Sequence, residues 1–312
     1  MTRSISELIT ANDPSHRGVI YLLAEALKRK IEDPLGNALG LLADTSSLVI
    51  VTGFNVPPDY RPETDGIIGA AVLARAFLDI GSNEVVIVLD DKEQRMIMEH
   101  LIKILLNVNA VSEKIVFLTR IDNEYLFREI LAEEISSRDI GLGIFIEKPS
   151  PNREGVIHNM RGIDVTQHHL DPRILLCVFK EMGVKTIGIG DGGNEVGLGI
   201  IEEDVRKYVP YGNMCACPCR SGIASSTLTD TVIVSTVSNW GAYALEALLL
   251  AINDKPEYIH SGNEEKMLIE ESIRKGAIDG VRGRGFVGVD GIPPSFHANI
   301  VDTIKMITLS LL

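Results

Sequence analysis

A glycine-rich loop with two acidic residues is the part of this sequence whose residue types could do chemistry. Residues 188–199 read Gly-Ile-Gly-Asp-Gly-Gly-Asn-Glu-Val-Gly-Leu-Gly and follow an apolar run with the pattern of a β-strand. Glycines permit positive φ angles and let several backbone N–H groups face one anion. However, Asp191 and Glu195 place negative charge where a pyrophosphate would bind, and the Gly-Lys-Ser/Thr ending of a phosphate-binding loop is absent. The loop therefore disfavours a nucleotide phosphate.

Two kinds of chemistry remain open for these carboxylates. Asp191 and Glu195 could hold a divalent cation, Mn²⁺ or Mg²⁺, through hard oxygen ligands. They could instead act as general acid and base if their surroundings separate their pKa values. A solvated turn is the simpler alternative, but a position at the end of a predicted strand favours function. No cofactor is certain from these residues alone.

Alternating strand and helix patterns must position this loop. Apolar, β-branched runs of strand length occupy residues 48–52, 85–89, 115–118, 140–146, 185–189 and 231–236. Helical spacing fills residues 65–80, 92–107, 123–136 and 172–182. This alternation predicts a parallel sheet, and the almost wholly apolar run 48–52 predicts a strand covered on both faces. We therefore expect a three-layer α/β fold with an open, mostly parallel sheet and helices on both faces.

A single domain is expected over residues 1–312, because no Pro/Ser-rich linker, low-complexity tract or internal repeat marks a boundary. Residues 1–45 are predicted to pack on this domain as an N-terminal helical segment. Within it, residues 15–42 predict one or two helices before the first strand. Residues 296–312 predict a closing helix.

Composition limits the partners of the chain. Its 312 residues are 45% hydrophobic and 23% charged, which is typical of a globular protein. The net charge of -13, with no clustered Lys/Arg stripe, disfavours nucleic acid. The sequence shows no signal-peptide pattern and no apolar run of membrane-spanning length, so we expect a cytoplasmic protein with no membrane partner. The expected ligand is a small acidic molecule, and homo-oligomerisation stays open.

Polar segments at other strand ends are the next candidates, because ligands of open α/β sheets bind beyond the carboxyl ends of the strands. Thr64, Asp65 and Gly66 open the helix that follows the first strand. Thr64 or Asp65 either caps that helix or contributes to a site. After the last strand, Ser238 or Asn239 is a suitable helix cap, and the free N–H groups of such a helix start can receive a carboxylate.

The irregular segment 152–164 follows the fourth predicted strand and is too apolar for a solvated linker. The planar guanidinium of Arg161 suits a carboxylate, and Asn159 can donate and accept hydrogen bonds. Alternatively, Arg161 pairs with Asp164 and only fixes the loop.

Three cysteines, Cys215, Cys217 and Cys219, could lie on one face of an extended segment, with Cys177 as a fourth thiol. Zinc and iron–sulfur sites usually show C-x-x-C spacing, which is absent, so metal binding by these thiols is disfavoured. The pair at 168–169, both histidines, is interpreted as surface polar residues at a helix start rather than as metal ligands. Trp240, the only tryptophan, is interpreted as a core residue.

Taken together, these segments resemble the D-glutamate cyclase family. The motifs that carry the resemblance are Thr-Asp-Gly at 64–66, Asn-Met-Arg-Gly-Ile-Asp at 159–164, the glycine loop at 188–197, Ser-Asn-Trp-Gly at 238–241 and Gly-Ala-Ile-Asp-Gly-Val at 276–281. The resemblance covers most of the chain, from about residue 13 to residue 291. It departs from the family pattern at 67–68, where Ile-Ile stands in place of Pro-Pro.

The resemblance implies conversion of D-glutamate to 5-oxo-D-proline and water, and the reverse hydrolysis. This reaction needs a deprotonated α-amine, an electrophilic γ-carboxyl group and a protonated leaving oxygen. We hypothesise that Asp191 or Glu195 is the base or binds an activating cation. The candidate substrate-binding residues are Asp65, Gly66, Asn159, Arg161, Asp164, Gly192, Gly193, Asn194, Ser238 and Asn239. The alternatives are a metal-assisted hydrolase or lactamase of another acidic amino acid derivative, and a non-catalytic sensor of an anionic metabolite.

Overall fold

A computed structural model describes residues 2–11, 18–81, 84–108 and 113–310. Its strands are β1 (Ser47–Thr52), β2 (Asn55–Val56), β3 (Arg61–Pro62), β4 (Glu84–Leu89), β5 (Ile115–Thr119), β6 (Leu142–Ile146), β7 (Lys185–Gly190) and β8 (Thr231–Val234). Its α-helices are α1 (Thr2–Ala11), α2 (Ile20–Lys28), α3 (Pro34–Ala43), α4 (Ile67–Asp79), α5 (Lys92–Leu105), α6 (Glu124–Ser137), α7 (Pro172–Met182), α8 (Glu202–Tyr208), α9 (Ser238–Ile252), α10 (Gly262–Arg274) and α11 (Pro294–Leu309).

Six of these strands form one parallel sheet in the order β5-β4-β1-β6-β7-β8. Val49 of β1 pairs with Val86 of β4 on one side and with Gly143 of β6 on the other. Along the chain, β4 and β5 are added on one side of β1, and β6, β7 and β8 are then added on the other side. This reversal leaves a crevice at the carboxyl ends of β1 and β6, where doubly wound folds bind ligands. The short strands β2 and β3 form a separate antiparallel ribbon.

Helices cover both faces of the sheet, because alternate residues of each strand bury apolar side chains on opposite sides. On β1, Leu48 and Ile50 belong to the core that contains α1, α3, α4, α5, α9, α10 and α11. Val49 and Val51 belong to the core formed with α6 and α7. A smaller core joins α2 and α8 to β8. The predicted three-layer α/β fold with a parallel sheet is confirmed.

The predicted elements mostly agree with the structure, with shifts at their ends. The helix predicted from residue 65 begins at Ile67, and the last strand ends at Val234 rather than at residue 236. α2 and α3 lie within the predicted N-terminal helical segment, and α11 is the predicted closing helix. Residues 12–17 and 311–312 lie outside the described residues, and the single domain stays a prediction. No α-helix in the described ranges is both long and apolar enough to span a bilayer.

A buried charged network anchors α9, whose residues are buried from Ser238 to Ala251. Glu246 accepts hydrogen bonds at 2.9 Å from the Arg75 guanidinium and at 3.0 Å from the backbone N–H of His260. Its second oxygen lies 2.5 Å from Nδ1 of His260. Burial disfavours the charged imidazole, but the Glu246 carboxylate raises the pKa of His260 to about 9. A charged His260 therefore forms part of the native network.

We expect Glu246→Ala to destabilise the protein by about 3–5 kcal/mol, because it leaves Arg75 and His260 buried without their carboxylate. Urea unfolding at neutral pH would measure this loss. Glu270→Ala, on the exposed side of α10, is the control and should stay within about 0.5 kcal/mol of the native protein. An equally small effect of both substitutions would contradict the role given to Glu246.

The same network predicts a pH dependence with a defined sign. The pKa of His260 is raised in the folded protein. The contribution of His260 to the free energy of unfolding is therefore complete below its unfolded pKa of about 6.5 and is lost as the pH rises through about 9. Unfolding free energies measured across this interval should decline in the native protein. This decline should be weaker in Glu246→Ala.

Candidate active site

A small cleft lies beyond the carboxyl ends of β1, β6 and β7. Its volume of about 100 Å³ is well below the roughly 300–1,000 Å³ of drug-sized pockets, so it fits a small ligand. It is lined by Phe54, Val56, Pro57, Glu63, Glu147, Asn159, Met160, Arg161, Asp191, Asn194, Gly280, Val281 and Asp290. Of the predicted site residues, Asn159, Arg161, Asp191 and Asn194 are thus brought together in one cleft.

Several buried carboxylates lie at this end of the sheet, among them Asp65, Glu147, Asp191 and Glu195, and the cleft lining adds Glu63 and Asp290. Carboxylate oxygens of Asp65, Glu147 and Asp191 lie within 4.8 Å of one another. Glu147 lines the cleft and was not among the predicted site residues. The feature that could have identified Glu147 as a site residue is its position directly after β6, next to the point where the strand order reverses.

The carboxylate of Asp65 binds the start of a distant helix. It accepts hydrogen bonds from the backbone N–H groups of Ser238 (3.0 Å) and Asn239 (2.8 Å), and from that of Gly66 (2.9 Å). The alternative in which Thr64 or Asp65 only caps α4 is wrong, since that helix has no side-chain cap. The first N–H groups of α9 are occupied by Asp65, so the structure does not support a substrate carboxylate at this helix start.

The side chains of Ser238 and Asn239 are also used inside the protein. The Ser238 hydroxyl donates to Glu147 at 2.6 Å. The Asn239 amide accepts from the Gly69 N–H (2.7 Å) and donates to the Thr64 carbonyl (3.2 Å). These two residues hold the acidic residues and α4 in place, which is a positioning role and not the predicted contact with substrate.

Glu147 has a backbone conformation that is unusual for its residue type. Its φ of 47° lies in the left-handed region, which costs a non-glycine residue about 1–3 kcal/mol. Such strain is found mainly at functional sites, where the surrounding structure maintains it. Here it is maintained by the Ser238 hydroxyl and by backbone pairing of Glu147 with Ile189 at 3.1 Å.

Glu195 is held within its own loop. Its two oxygens accept from the N–H groups of Gly192 (2.9 Å) and Gly193 (2.8 Å). A Cβ at Gly192 would lie 2.4 Å from Sδ of Met160, so a larger residue there would require the Met160 side chain to shift. The carboxylates that lie close enough together to share a cation are Asp65, Glu147 and Asp191, and Glu195 is not part of this group. The pair Asp191 and Glu195 as metal ligands stays a prediction.

Burial and, next, mutual repulsion raise the pKa values of Asp65, Glu147 and Glu195. Burial, and next the charge of Asp191, raises the pKa of Asp65 to about 7 and that of Glu195 to about 8. Burial raises the pKa of Glu147 well above its usual range, with Asp191 and then Glu195 as further causes. Protonated carboxyl groups or a bound cation would relieve this repulsion.

Polar groups on the opposite side of the cleft are suited to a carboxylate ligand. Asn159 Oδ1 accepts from the N–H groups of Arg161 and Ile163, both at 3.0 Å. In the part of the chain that the structure describes, its Nδ2 group has no hydrogen-bond partner. Oδ1 of Asn194 is buried and likewise has none among the described residues. The cleft thus offers one amide donor and one amide acceptor.

Arg161 is exposed and donates to the carbonyl of Val281 at 3.2 Å. The alternative in which it pairs with Asp164 is wrong, because the Asp164 carboxylate instead accepts from the N–H and hydroxyl of Thr166. Asp164 does not line the cleft. Arg161 remains available to an anion that enters the cleft.

Two interpretations of Cys and His residues need correction. Cys215, Cys217 and Cys219 converge with His158, whereas Cys177 is exposed and bonds to Glu181 on its own helix. His158 was not among the predicted ligands.

His169 is buried rather than a surface residue. Its Nδ1 lies 2.8 Å from Asp90, which also binds Lys148. His168 stacks on Tyr60 with ring centroids 3.3 Å apart. Trp240 is fully buried, which confirms its interpretation as a core residue.

The fold and the cleft define a doubly wound α/β protein with a small cleft lined by buried carboxylates. A family model described as "D-glutamate cyclase-like, C-terminal" matches residues 6–305. The chain belongs to this family of D-glutamate cyclase-like C-terminal domains. The protein named "D-glutamate cyclase, mitochondrial" from Homo sapiens is 27% identical over 331 residues, covering 95% of this chain and 50% of that protein. The chain thus spans about half the length of this relative.

The hypothesis that Asp65, Glu147 and Asp191 hold a divalent cation predicts that binding strengthens as the pH rises from about 6 to about 9, because a cation must displace the protons that the raised pKa values retain. Thermal shifts with Mg²⁺ or Mn²⁺ would measure this. Asp191→Asn should abolish the stabilisation, whereas Asp164→Asn, outside the group, should keep it. A cation effect that is equal at both pH values would contradict this prediction.

Proposed function

We propose that this chain is a lyase that converts D-glutamate to 5-oxo-D-proline and water, in a reaction that also runs in reverse. The observation that carries the proposal is the placement of the buried Asp191 and Glu147 in one small cleft with Asn159 and Arg161. Membership in the D-glutamate cyclase-like family supports this reaction class. The name of the human relative supports it further, at 27% identity and half of that protein's length.

The two sides of the cleft match the two ends of the proposed substrate. The α-carboxylate would bind to the Arg161 guanidinium and to Nδ2 of Asn159, since both are donors. The amine and the γ-carboxyl group then face Asp191 and Glu147. Oδ1 of Asn194 is a suitable acceptor for an N–H group of the substrate.

The proposed chemistry forms one C–N bond and breaks one C–O bond. Asp191 accepts a proton from the α-ammonium group, which frees the nitrogen lone pair to attack the γ-carboxyl carbon. Glu147, whose raised pKa favours its protonated form, donates a proton to the departing oxygen. With the substrate carboxyl itself protonated, that oxygen leaves as one molecule of water. The second proton of the attacking nitrogen then passes to the Glu147 carboxylate, which leaves a neutral lactam N–H and restores the protonated Glu147. In reverse, Glu147 accepts a proton from the attacking water.

A divalent cation is the alternative means of activating the γ-carboxyl group. Asp65, Glu147 and Asp191 would hold it, and this set of hard oxygen donors fits Mg²⁺ or Mn²⁺. Their raised pKa values indicate excess negative charge, which also fits a cation. When bound, the ion would polarise a carboxyl oxygen as a Lewis acid. Glu147 would then serve as a ligand instead of a proton donor.

Asp191→Asn is expected to lower kcat/KM for cyclisation of D-glutamate by about 10²–10⁴-fold, because the amide cannot accept the amine proton. Product NMR would follow 5-oxo-D-proline, with L-glutamate as a comparison substrate. Glu154→Gln, an exposed acid outside the cleft, is the control and should retain full activity. Turnover by a folded Asp191→Asn variant at the native rate would disprove the mechanism.

The same assay separates the other function classes. Hydrolysis of a different acidic lactam or amide without action on D-glutamate would identify a hydrolase. Thermal stabilisation by D-glutamate without any turnover would identify a sensor. Either result would overturn the proposed reaction.

Arg161→Gln is expected to raise KM for D-glutamate by about 10–100-fold with a smaller change in kcat, because a charge-assisted hydrogen bond to a carboxylate contributes about 1.5–3 kcal/mol. Steady-state kinetics would measure both constants. Arg153→Gln is a matched control from the same segment, since Arg153 pairs with Glu202 and Glu203 outside the cleft. Equal KM values for the two variants would contradict the proposed role of Arg161 in substrate binding.

A further inference from the structure

Three cysteine sulfurs and one imidazole nitrogen meet at a point outside the carboxylate cleft. The sulfur of Cys215 lies 3.5 Å from that of Cys217 and 3.3 Å from that of Cys219, and the last two are 3.3 Å apart. Nε2 of His158 lies 3.1 Å from the sulfur of Cys217 and 3.6 Å from that of Cys219. All four atoms lie within 4.8 Å of one another.

These distances are close to those of a tetrahedral zinc site. Sulfur ligands about 2.3 Å from one zinc ion lie about 3.8 Å apart, so small outward shifts of the four atoms would admit the ion. His158, Cys215 and Cys217 are buried, and Cys219 is partly buried. Three thiols and an imidazole are also a preferred donor set for zinc, because thiolates are soft ligands.

The loop that supplies the sulfurs has no regular secondary structure. From Val209 to Asp230 the chain forms no helix or strand, and Tyr211, Arg220 and Gly222 have positive φ angles. Long irregular segments in compact proteins are usually functional or depend on cross-links. A bound metal supplies folding free energy to such a segment because it links residues that are distant in the sequence.

Hydrogen bonds around the cluster join this loop to the segment that carries His158. The N–H groups of Ala216 and Cys217 donate to the carbonyl of Gly162 at 3.0 and 3.2 Å. Nδ2 of Asn152 lies 3.5 Å from the sulfur of Cys219 and donates to the Gly222 carbonyl at 2.7 Å. Contacts of this kind orient ligands in metal sites.

We propose that His158, Cys215, Cys217 and Cys219 bind one Zn²⁺ ion in a closed, structural site. With four protein ligands, no coordination position is left for a substrate, which distinguishes this site from a catalytic one. Cys215 and Cys219 are separated by three residues, within the ligand spacings of structural zinc sites, and Cys217 lies between them. The fourth ligand is distant in sequence, so the motif cannot be recognised from the cysteines alone.

The zinc site would also fix one wall of the cleft. His158 directly precedes Asn159, and its carbonyl accepts a hydrogen bond at 2.9 Å from the side chain of Asn194, another cleft residue. A metal at His158 therefore restrains the segment that carries Asn159 and Arg161. This role is independent of which reaction the cleft performs.

Metal analysis of the untagged full chain, purified in reducing buffer without chelators, tests the proposal. Stoichiometric zinc is expected in the native protein and in Cys177→Ser, the matched control with an exposed thiol. Cys217→Ser and His158→Asn should each lose the zinc and unfold at a lower temperature. Zinc retained by both folded variants, iron in place of zinc, or a disulfide among Cys215, Cys217 and Cys219 would overturn the proposal.

Cobalt substitution tests the same site if a variant does not fold. Native protein stripped of metal and titrated with Co²⁺ should develop a thiolate-to-cobalt charge-transfer band and the intense visible bands of a tetrahedral centre. Zn²⁺ added afterwards should remove them. Metal-free native protein with no cobalt–thiolate spectrum would disprove the site.

Discussion

The Asp65 carboxylate connects the fold to the cleft. Through the N–H groups of Ser238 and Asn239, it fixes the first turn of α9, the helix that is buried along almost its whole length. Through its position next to Asp191 and Glu147, it also belongs to the acidic group at the carboxyl end of the sheet. The favourable interaction of a carboxylate with a helix N-terminus offsets part of the cost of burying Asp65 beside other acids. Packing of α9 and the charge of the cleft are therefore coupled through one side chain.

The architecture could be predicted from the sequence because burial on both faces leaves a direct pattern. β1 and β4 are almost entirely apolar, as strands between two helical layers must be, and their boundaries follow from this pattern. The position of Asp191 was also predictable. A glycine-rich turn directly after a buried strand must lie at the carboxyl edge of the sheet, where ligands bind.

The partners of these acids could not be predicted, because they depend on contacts between distant parts of the chain. Asp65 and Ser238 are 173 positions apart, and the residues around each of them made it a candidate cap for its own helix. His158 and Cys217 are 59 positions apart, and neither carries a recognisable motif at its own position. Helix starts, loops and lone histidines have many local explanations. Only the packed structure selects among them.

The contrast between Glu147 and Lys148 shows how two consecutive residues separate two charge environments. Burial alone would raise the pKa of Asp90, but Lys148 and His169 lower it to about 2, so this network is a stable ionic arrangement. Burial, and next the surrounding acids, raise the pKa of Glu147, one residue earlier. The left-handed conformation of Glu147 accompanies this change of environment at the end of β6. Ionic pairing thus stabilises the structure beside the cleft, while repulsion within the cleft leaves carboxyl groups that can exchange protons or bind a cation near neutral pH.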